Sequence, residues 1–161
     1  LGLLQAHSSV RRRGVLRGLH VAAGPPGQAK YVTCVRGAVL DAVVDVRVGS
    51  PTFGGSELLR LDDVERRAVY VPEGFAHGFI ALTDDATVVY LCSQPYAPER
   101  EFEINAFDEE LAIAWPAELE PVLSEKDAKA PGLREAGERG LLPRYEDCLA
   151  FYDSLRSNGI A

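Results

Sequence analysis

AVLDAVVDVR, residues 38–47, alternates along the chain in a way that predicts a β-strand. Asp41, Val43, Asp45 and Arg47 share one face of this strand, and the even-numbered residues 40–46 are apolar and share the other. Such a strand fits a barrel whose inner face carries polar groups and encloses a ligand cavity. We therefore expect at least one of Asp41 and Asp45 to line that cavity, with a paired structural role as the equal alternative.

Similar short segments flank this strand at a spacing of about ten residues. We predict strands over residues 15–21, 30–35, 38–46, 56–61, 68–71, 78–82 and 87–92. Turn sequences such as PPG (25–27) and PEG (72–74) separate them. Short, regularly spaced strands without a helical period indicate an all-β sandwich or barrel.

The pattern changes after Trp115-Pro116. Ser124, with Asp127 three residues later, predicts the start of a helix, and residues 133–139 and 145–155 also predict helices. We expect one domain, with a barrel over residues 1–121 that carries the active site and a short helical C-terminal appendage over residues 122–161. Because the chain begins at Leu1 and contains no Met, we expect a further N-terminal segment in the full protein.

Composition narrows the range of functions. The 161 residues suffice for one domain with a substantial core, and the net charge of −7 argues against general nucleic-acid binding. No apolar run approaches the ~20 residues of a membrane helix. Three cysteines without a C-x-x-C motif indicate free thiols in a reducing cytoplasm. The locally basic segment 11–13 is either part of a site for a small anion or a solvated turn.

Side chains that could bind anions or transfer protons cluster early in the chain. They are Arg17, His20 and Lys30, which provide a guanidinium, an imidazole and an amine. An arginine binds phosphate oxygens, an imidazole moves protons near neutral pH, and a lysine stabilises an oxyanion. This combination predicts proton transfer on a phosphorylated or nucleotide-linked substrate. A regular strand would place Arg17 and His20 on opposite faces, so we predict an irregularity at Gly18 that brings both to one cavity.

Several motifs, taken in order, resemble one known family: GVLRGLH (14–20), QAKYV (28–32), GSPTFG (49–54), PEGFAHGF (72–79) and YAPE (96–99). The chain resembles the dTDP-4-dehydrorhamnose 3,5-epimerases over residues 3–143. The resemblance implies a cupin-like jelly roll, also called a double-stranded β-helix, usually a homodimer, with no metal and no organic cofactor. It implies an isomerase that inverts C3 and C5 of a dTDP-4-keto-6-deoxyhexose, by removing an acidic hydrogen beside the keto group and returning it on the opposite face.

The resemblance also implies roles for individual residues. His20 matches the family's base, Asp127 the carboxylate that orients it, Lys30 the amine beside the keto oxygen, and Tyr90 the proton donor on the opposite face. By the same matching, the residues that would contact the nucleotide-sugar are Arg17, Gln5, His77, Glu101 and Lys126. His7 lies near the positions of the family's polar substrate contacts.

Structural roles compete with some of these assignments. His77, shortly after PEG (72–74), could satisfy a turn, Tyr90 could be a core aromatic residue, and Asp127 could be an ordinary residue of a helix start. Tyr96 is the alternative proton donor.

The chain departs from the commonest family pattern at Leu91, at Pro95 and at AFD (106–108). These departures resemble the antibiotic-sugar branch, in which some members invert only C3 or only C5, so a mono-epimerase is the main alternative. A metal-dependent cupin would need convergent ligands such as His-x-His, but the histidines stand singly at 7, 20 and 77. A catalytically silent sugar-binding barrel is the third hypothesis.

Overall fold

Two antiparallel sheets pack face to face in the computed structural model, which describes residues 3–25 and 27–157. The strands are β1 (Gln5–Arg11), β2 (Leu16–Ala22), β3 (Lys30–Arg36), β4 (Ala38–Asp45), β5 (Ser56–Asp62), β6 (Ala68–Val71), β7 (Phe75–Ala81), β8 (Ala86–Cys92) and β9 (Glu101–Glu103). A four-stranded sheet has the order β1-β8-β3-β6, and a five-stranded sheet has the order β5-β4-β7-β2-β9. The jelly-roll prediction is confirmed.

Apolar residues form one core between the sheets and a second on the outer face of the five-stranded sheet. Val32, Val39 and Val88 belong to the first, and Leu16 and Val44 to the second. Strand β4 contributes to both, because alternate side chains point to opposite faces. This double burial explains why residues 38–46 are so rich in apolar side chains.

The C-terminal segment covers the outer face of the five-stranded sheet. Its helices are α1 (Glu125–Ala128), α2 (Leu133–Glu138) and α3 (Tyr145–Ser157), close to the predicted ranges. Ser124 caps α1 by accepting a hydrogen bond from the backbone N–H of Asp127, as the sequence predicted. Leu133 and Ala136 of α2 are buried in the outer core. No helix in the described part of the chain is long and apolar enough to cross a membrane.

Asp45 has a structural role that links β4 to α3. Its carboxylate accepts hydrogen bonds from Arg47, at 2.7 and 2.8 Å, and from the hydroxyls of Ser50 and Thr52. The guanidinium of Arg47 lies over the ring of Tyr145 at the start of α3, with 5.0 Å to the ring centroid. Burial raises the pKa of Asp45, but these hydrogen bonds outweigh it and hold the pKa well below its ordinary value. Asp45 therefore has a structural role, paired with Arg47, rather than a role in the candidate site.

The outer face of the four-stranded sheet is apolar and exposed. Tyr31 lies opposite both Tyr70 and Leu91 in the strand register, and Val35 lies further along the same strand. Tyr31, Val35 and Tyr70 are 51%, 54% and 46% exposed. No described residue covers this face in the way that the C-terminal segment covers the other sheet.

Strand β2 is irregular where the sequence predicted it. Its register against β7 shifts between Arg17 and His20. Gly18 has a φ of 109°, and a Cβ there would lie 2.6 Å from the Cα of Gly78. Only glycine fits this close approach of two strands, so the prediction of a bulge at Gly18 is confirmed.

The strand predictions missed β1 and β9 and began β7 three residues late. All three cysteines are buried free thiols, as expected.

Candidate active site

A cavity of about 330 Å³ opens between the two sheets, and a second space of about 110 Å³, called the inner chamber here, shares the lining residues Arg17, His20, Lys30 and Tyr90 with it. The four-stranded sheet, the five-stranded sheet and the segment around α1 each supply part of its wall. The polar residues that line the two spaces include His7, Arg11, Arg17, His20, Lys30, Tyr90, Glu101, Lys126 and Asp127.

His20 and Asp127 form a hydrogen-bonded pair on one wall. Nε2 of His20 lies 2.8 Å from Oδ1 of Asp127, whose side chain is 1% exposed. The hydroxyl of Ser124 donates to the other carboxylate oxygen at 2.7 Å. Burial raises the pKa of Asp127, but hydrogen bonds from His20 and Ser124 outweigh it and lower the pKa below its ordinary value. The carboxylate therefore stays charged and fixes the imidazole, which remains 33% exposed to the cavity.

The second ring nitrogen of His20 has no hydrogen-bond partner within residues 3–25 and 27–157. This nitrogen is therefore free to take a proton from a molecule in the cavity. The bulge at Gly18 is what turns both His20 and Arg17 toward this space.

Tyr90 lies on the opposite wall, because β8 belongs to the four-stranded sheet and β2 to the five-stranded one. Burial raises the pKa of Tyr90, followed by a smaller effect of Cys92 in the same direction. The phenol therefore keeps its proton at neutral pH and has the properties of a proton donor. Its hydroxyl has no hydrogen-bond partner among the described residues.

Lys30 lies beside Tyr90 on the four-stranded sheet and lines both spaces. Burial lowers the pKa of its amine, and the nearby carboxylate of Glu101 acts in the opposite direction. Within the described ranges, no hydrogen bond or ion pair engages this amine. A lysine amine without a carboxylate in contact is well placed to donate a hydrogen bond to negative charge on a bound molecule.

Of the other residues predicted to contact the nucleotide-sugar, only some line the main cavity. Arg17 and Glu101 line the main cavity, and Arg17 Nη1 donates to the carbonyl oxygen of Leu16 at 2.7 Å. Burial lowers the pKa of Arg17, and nearby Arg11 lowers it further. Lys126 also lines the cavity and forms an ion pair with Glu103, which raises the pKa of the lysine.

His77 and Gln5 do not line the main cavity. His77 lies within β7 rather than in the preceding turn, and it lines the inner chamber. Its Nε2 lies 2.8 Å from Oδ2 of the buried Asp41. Gln5 instead accepts a hydrogen bond from the backbone N–H of Tyr96 at 2.5 Å, and Tyr96 itself lines the main cavity.

Strand β1 brings residues to the site that the sequence interpretation underrated. His7 lines the main cavity, and Arg11 lines the inner chamber with its buried Nε unpaired. Gln5, His7, Ser9 and Arg11 alternate with exposed residues in the structure. Because these inward side chains are polar, the sequence carries no apolar period that could have identified the strand. The solvated-turn interpretation therefore does not hold for Arg11.

No group of three or more His, Cys, Asp or Glu side chains has an arrangement that could hold a metal ion within the described ranges. The single histidines at 7, 20 and 77 thus do not converge into the ligand set that a metal-dependent cupin requires.

Comparison with known proteins identifies the family. The family model for dTDP-4-dehydrorhamnose 3,5-epimerase matches residues 2–135. The chain belongs to this epimerase family. A dTDP-4-dehydrorhamnose 3,5-epimerase of Streptomyces griseus is 60% identical over 158 residues, which cover 98% of this chain and 78% of that protein. A dTDP-4-dehydrorhamnose 3-epimerase of Streptomyces niveus is 57% identical over 93% of this chain and 72% of its own length.

Solved structures of family members agree with the fold. The rmlC epimerase of Mycobacterium tuberculosis superposes with a TM-score of 0.92 at 52% identity, over 94% of this chain and 77% of that one. ChmJ, a 3'-monoepimerase of Streptomyces bikiniensis in complex with dTDP-quinovose, gives a TM-score of 0.90 at 49% identity, over 98% of this chain and 78% of that one. The family thus contains proteins named as 3,5-epimerases and proteins named as 3-epimerases or 3'-monoepimerases.

Proposed function

We propose that this protein is an epimerase that inverts carbons beside the 4-keto group of a dTDP-4-keto-6-deoxyhexose, in dTDP-rhamnose or related deoxysugar biosynthesis. The observation that carries the proposal is the placement of a histidine–aspartate pair and a protonated tyrosine on opposite sheets of one cavity. Inversion of a carbon requires removal of a proton from one face and its delivery to the other, and this arrangement supplies both groups.

The reaction begins with His20 as the base. Its free ring nitrogen takes the proton from the carbon beside the keto group, and the C–H electron pair moves into an enolate. Asp127 holds the imidazole and stabilises its charged form, and the ammonium of Lys30 stabilises the enolate oxygen. The hydroxyl of Tyr90 then gives its proton to the opposite face of the carbon, and solvent restores the protonation states of Tyr90 and His20.

The surrounding side chains suit a nucleoside-diphosphate sugar. Arg17, Lys126 and, further inward, Arg11 and His77 provide donors for diphosphate and sugar oxygens. Glu101 provides an acceptor for hydroxyl or base N–H groups. Gln5 acts at the edge of the site through its hydrogen bond to the backbone of Tyr96. No step in this scheme uses a metal or organic cofactor.

The number of carbons inverted distinguishes two versions of the proposal. Double inversion at C3 and C5 is the version that we favour, because the relative from Streptomyces griseus bears the 3,5-epimerase name at 60% identity. A mono-epimerase is the alternative, supported by the 3-epimerase name of the relative from Streptomyces niveus at 57% identity.

The protein acts as a homodimer in the cytoplasm under the same proposal. The exposed apolar face around Tyr31, Val35 and Tyr70 supports the dimer, since a second copy would remove it from water. The free buried thiols support a reducing compartment.

Incubation with dTDP-4-keto-6-deoxyglucose in heavy water tests the function. We expect NMR to show deuterium at both C3 and C5 together with an inverted product. Deuterium at one carbon only would establish the mono-epimerase. Absence of deuterium from both carbons would reject the function for this substrate.

A further inference from the structure

We propose that His7 is a positioning residue for Tyr90: its imidazole ring lies against the phenol ring and keeps the hydroxyl aimed at the substrate. The inference rests on the proposed function, because it concerns the residue that delivers the proton to the far face.

The strand register places the two rings together. His7 and Tyr90 are directly opposite each other in the β1–β8 pairing, and both side chains point to the cavity side of the sheet. Their ring centroids are 5.0 Å apart, and their planes differ by 18°. This stacked geometry is among the favourable arrangements for aromatic pairs, and it covers one side of the phenol ring.

The stack matters because nothing else among the described residues holds the hydroxyl of Tyr90. His20, on the wall opposite Tyr90, is anchored differently, because a hydrogen bond to Asp127 fixes its ring. The direction of the tyrosine hydroxyl instead depends on how the phenol ring packs. Proton delivery is sensitive to displacements of about 1 Å, so a phenol ring with one face uncovered would donate less effectively.

Loss of the stack should therefore affect one half of the reaction more than the other. Proton removal by His20 and return of deuterium to the same face give exchange without inversion. Delivery by Tyr90 to the opposite face gives inversion. The ratio of inversion to exchange thus reports on the position of Tyr90 and is insensitive to a general loss of active protein.

The experiment measures both rates for four proteins, with dTDP-4-keto-6-deoxyglucose in heavy water as the probe. The proteins are the parent, His7→Ala, His7→Phe and Ser8→Ala, each checked for thermal unfolding. Phenylalanine keeps a flat ring over Tyr90 but has no ring nitrogens. Ser8 lies in the same strand with its side chain exposed on the opposite face, so Ser8→Ala is a matched control for changes to β1.

We expect His7→Ala to lower the ratio of inversion to exchange by roughly three- to tenfold. His7→Phe should restore most of the parent ratio, and Ser8→Ala should leave it unchanged. An unchanged ratio in His7→Ala, even with lower overall activity, would overturn the inference. Failure of His7→Phe to restore the ratio would also overturn it, since stacking would then not be the cause. If the parent itself shows no exchange, the proposed function fails instead.

Discussion

The two side chains that we propose to exchange protons with the substrate are held by different forces. His20 is fixed by a hydrogen bond to a carboxylate that is itself buried and bonded to Ser124. Tyr90 is kept protonated by its partly buried position and contacts a neighbouring ring. His20 is thus suited to remove a proton and Tyr90 to deliver one. Mutations at the two positions should therefore separate proton removal from proton delivery.

Replacement of either residue should give a distinct labelling pattern. We expect His20→Asn to lower deuterium exchange by about 10²-fold or more, because no base remains to remove the proton. Tyr90→Phe should lower inversion by a similar factor while it retains exchange on the face of His20. Both rates come from NMR of the sugar in heavy water. Exchange at the parent rate in His20→Asn would contradict the assignment of the base.

Asp127 also links stability to pH. Its pKa is lowered in the folded protein, whereas an Asp carboxyl in the unfolded chain has a pKa of about 3.9. The stabilising effect is therefore complete above the unfolded pKa and is lost as the pH falls through the lower folded value. We expect the difference in free energy of unfolding between the parent and Asp127→Asn to shrink between about pH 5 and pH 3.

Urea unfolding at several pH values measures this difference. The exposed carboxylate Glu118 provides the control, because Glu118→Gln should differ little from the parent at any of these pH values. A difference for Asp127→Asn that is constant down to pH 3 would contradict the linkage.

Among the elements, the bulge in β2 is what makes a single site possible. Strand β2 would otherwise point Arg17 and His20 to opposite faces. Gly18 permits the bulge because its backbone adopts a positive φ and lies close to β7. A side chain at this position would have to push apart two paired strands.

We expect Gly18→Ala to lower the free energy of unfolding by about 3 kcal/mol or more and to reduce exchange. Gly140→Ala is the matched control, since Gly140 also has a positive φ, of 67°, but a Cβ there would meet no atom within 4 Å. The control should cost only about 1 kcal/mol. Chemical denaturation measures both values, and equal losses would show that the close approach to β7 does not matter.

Helix α1 ties the C-terminal segment to the barrel through the pair of His20 and Asp127. The buried Leu133 and Ala136 of α2 pack in the same core as Leu16 of β2. We therefore propose that residues 1–121 and 122–161 form one domain, in which the appendage completes the active site rather than merely covering the barrel.

On the scale of the whole molecule, the two sheets differ in what covers them. The five-stranded sheet is covered by the C-terminal segment, and the four-stranded sheet has an exposed apolar outer face. In the proposed homodimer, we therefore expect the interface to lie on the outer face of the four-stranded sheet.

We expect a charge on this face to separate the two chains of the proposed dimer. We expect Tyr31→Glu to shift the mass measured by light scattering from two chains toward one, because a carboxylate cannot be buried there without a partner. Val64→Glu places the same charge on an 83% exposed residue of a loop and should leave the mass unchanged. A dimer that persists in Tyr31→Glu would rule out this face as the interface.

The sequence by itself determined most strands and the family. Alternation and turn motifs predicted seven of the strands, because core-facing strands carry a periodic apolar signal. Strand β1 gave no such signal, since its inward side chains Gln5, His7, Ser9 and Arg11 are polar and face the site or its edge. Even the bulge at Gly18 could be predicted, because two residues three apart had to reach one cavity.

Only the tertiary structure decided which polar residues share the site. It brought Asp127 to His20 across more than a hundred residues of chain and paired His7 with Tyr90, whereas it gave Asp45 to a structural network with Arg47. Sequence periodicity assigns a side chain to a face of its own strand. Which strands and helices then face each other depends on how the two sheets and the C-terminal segment pack together.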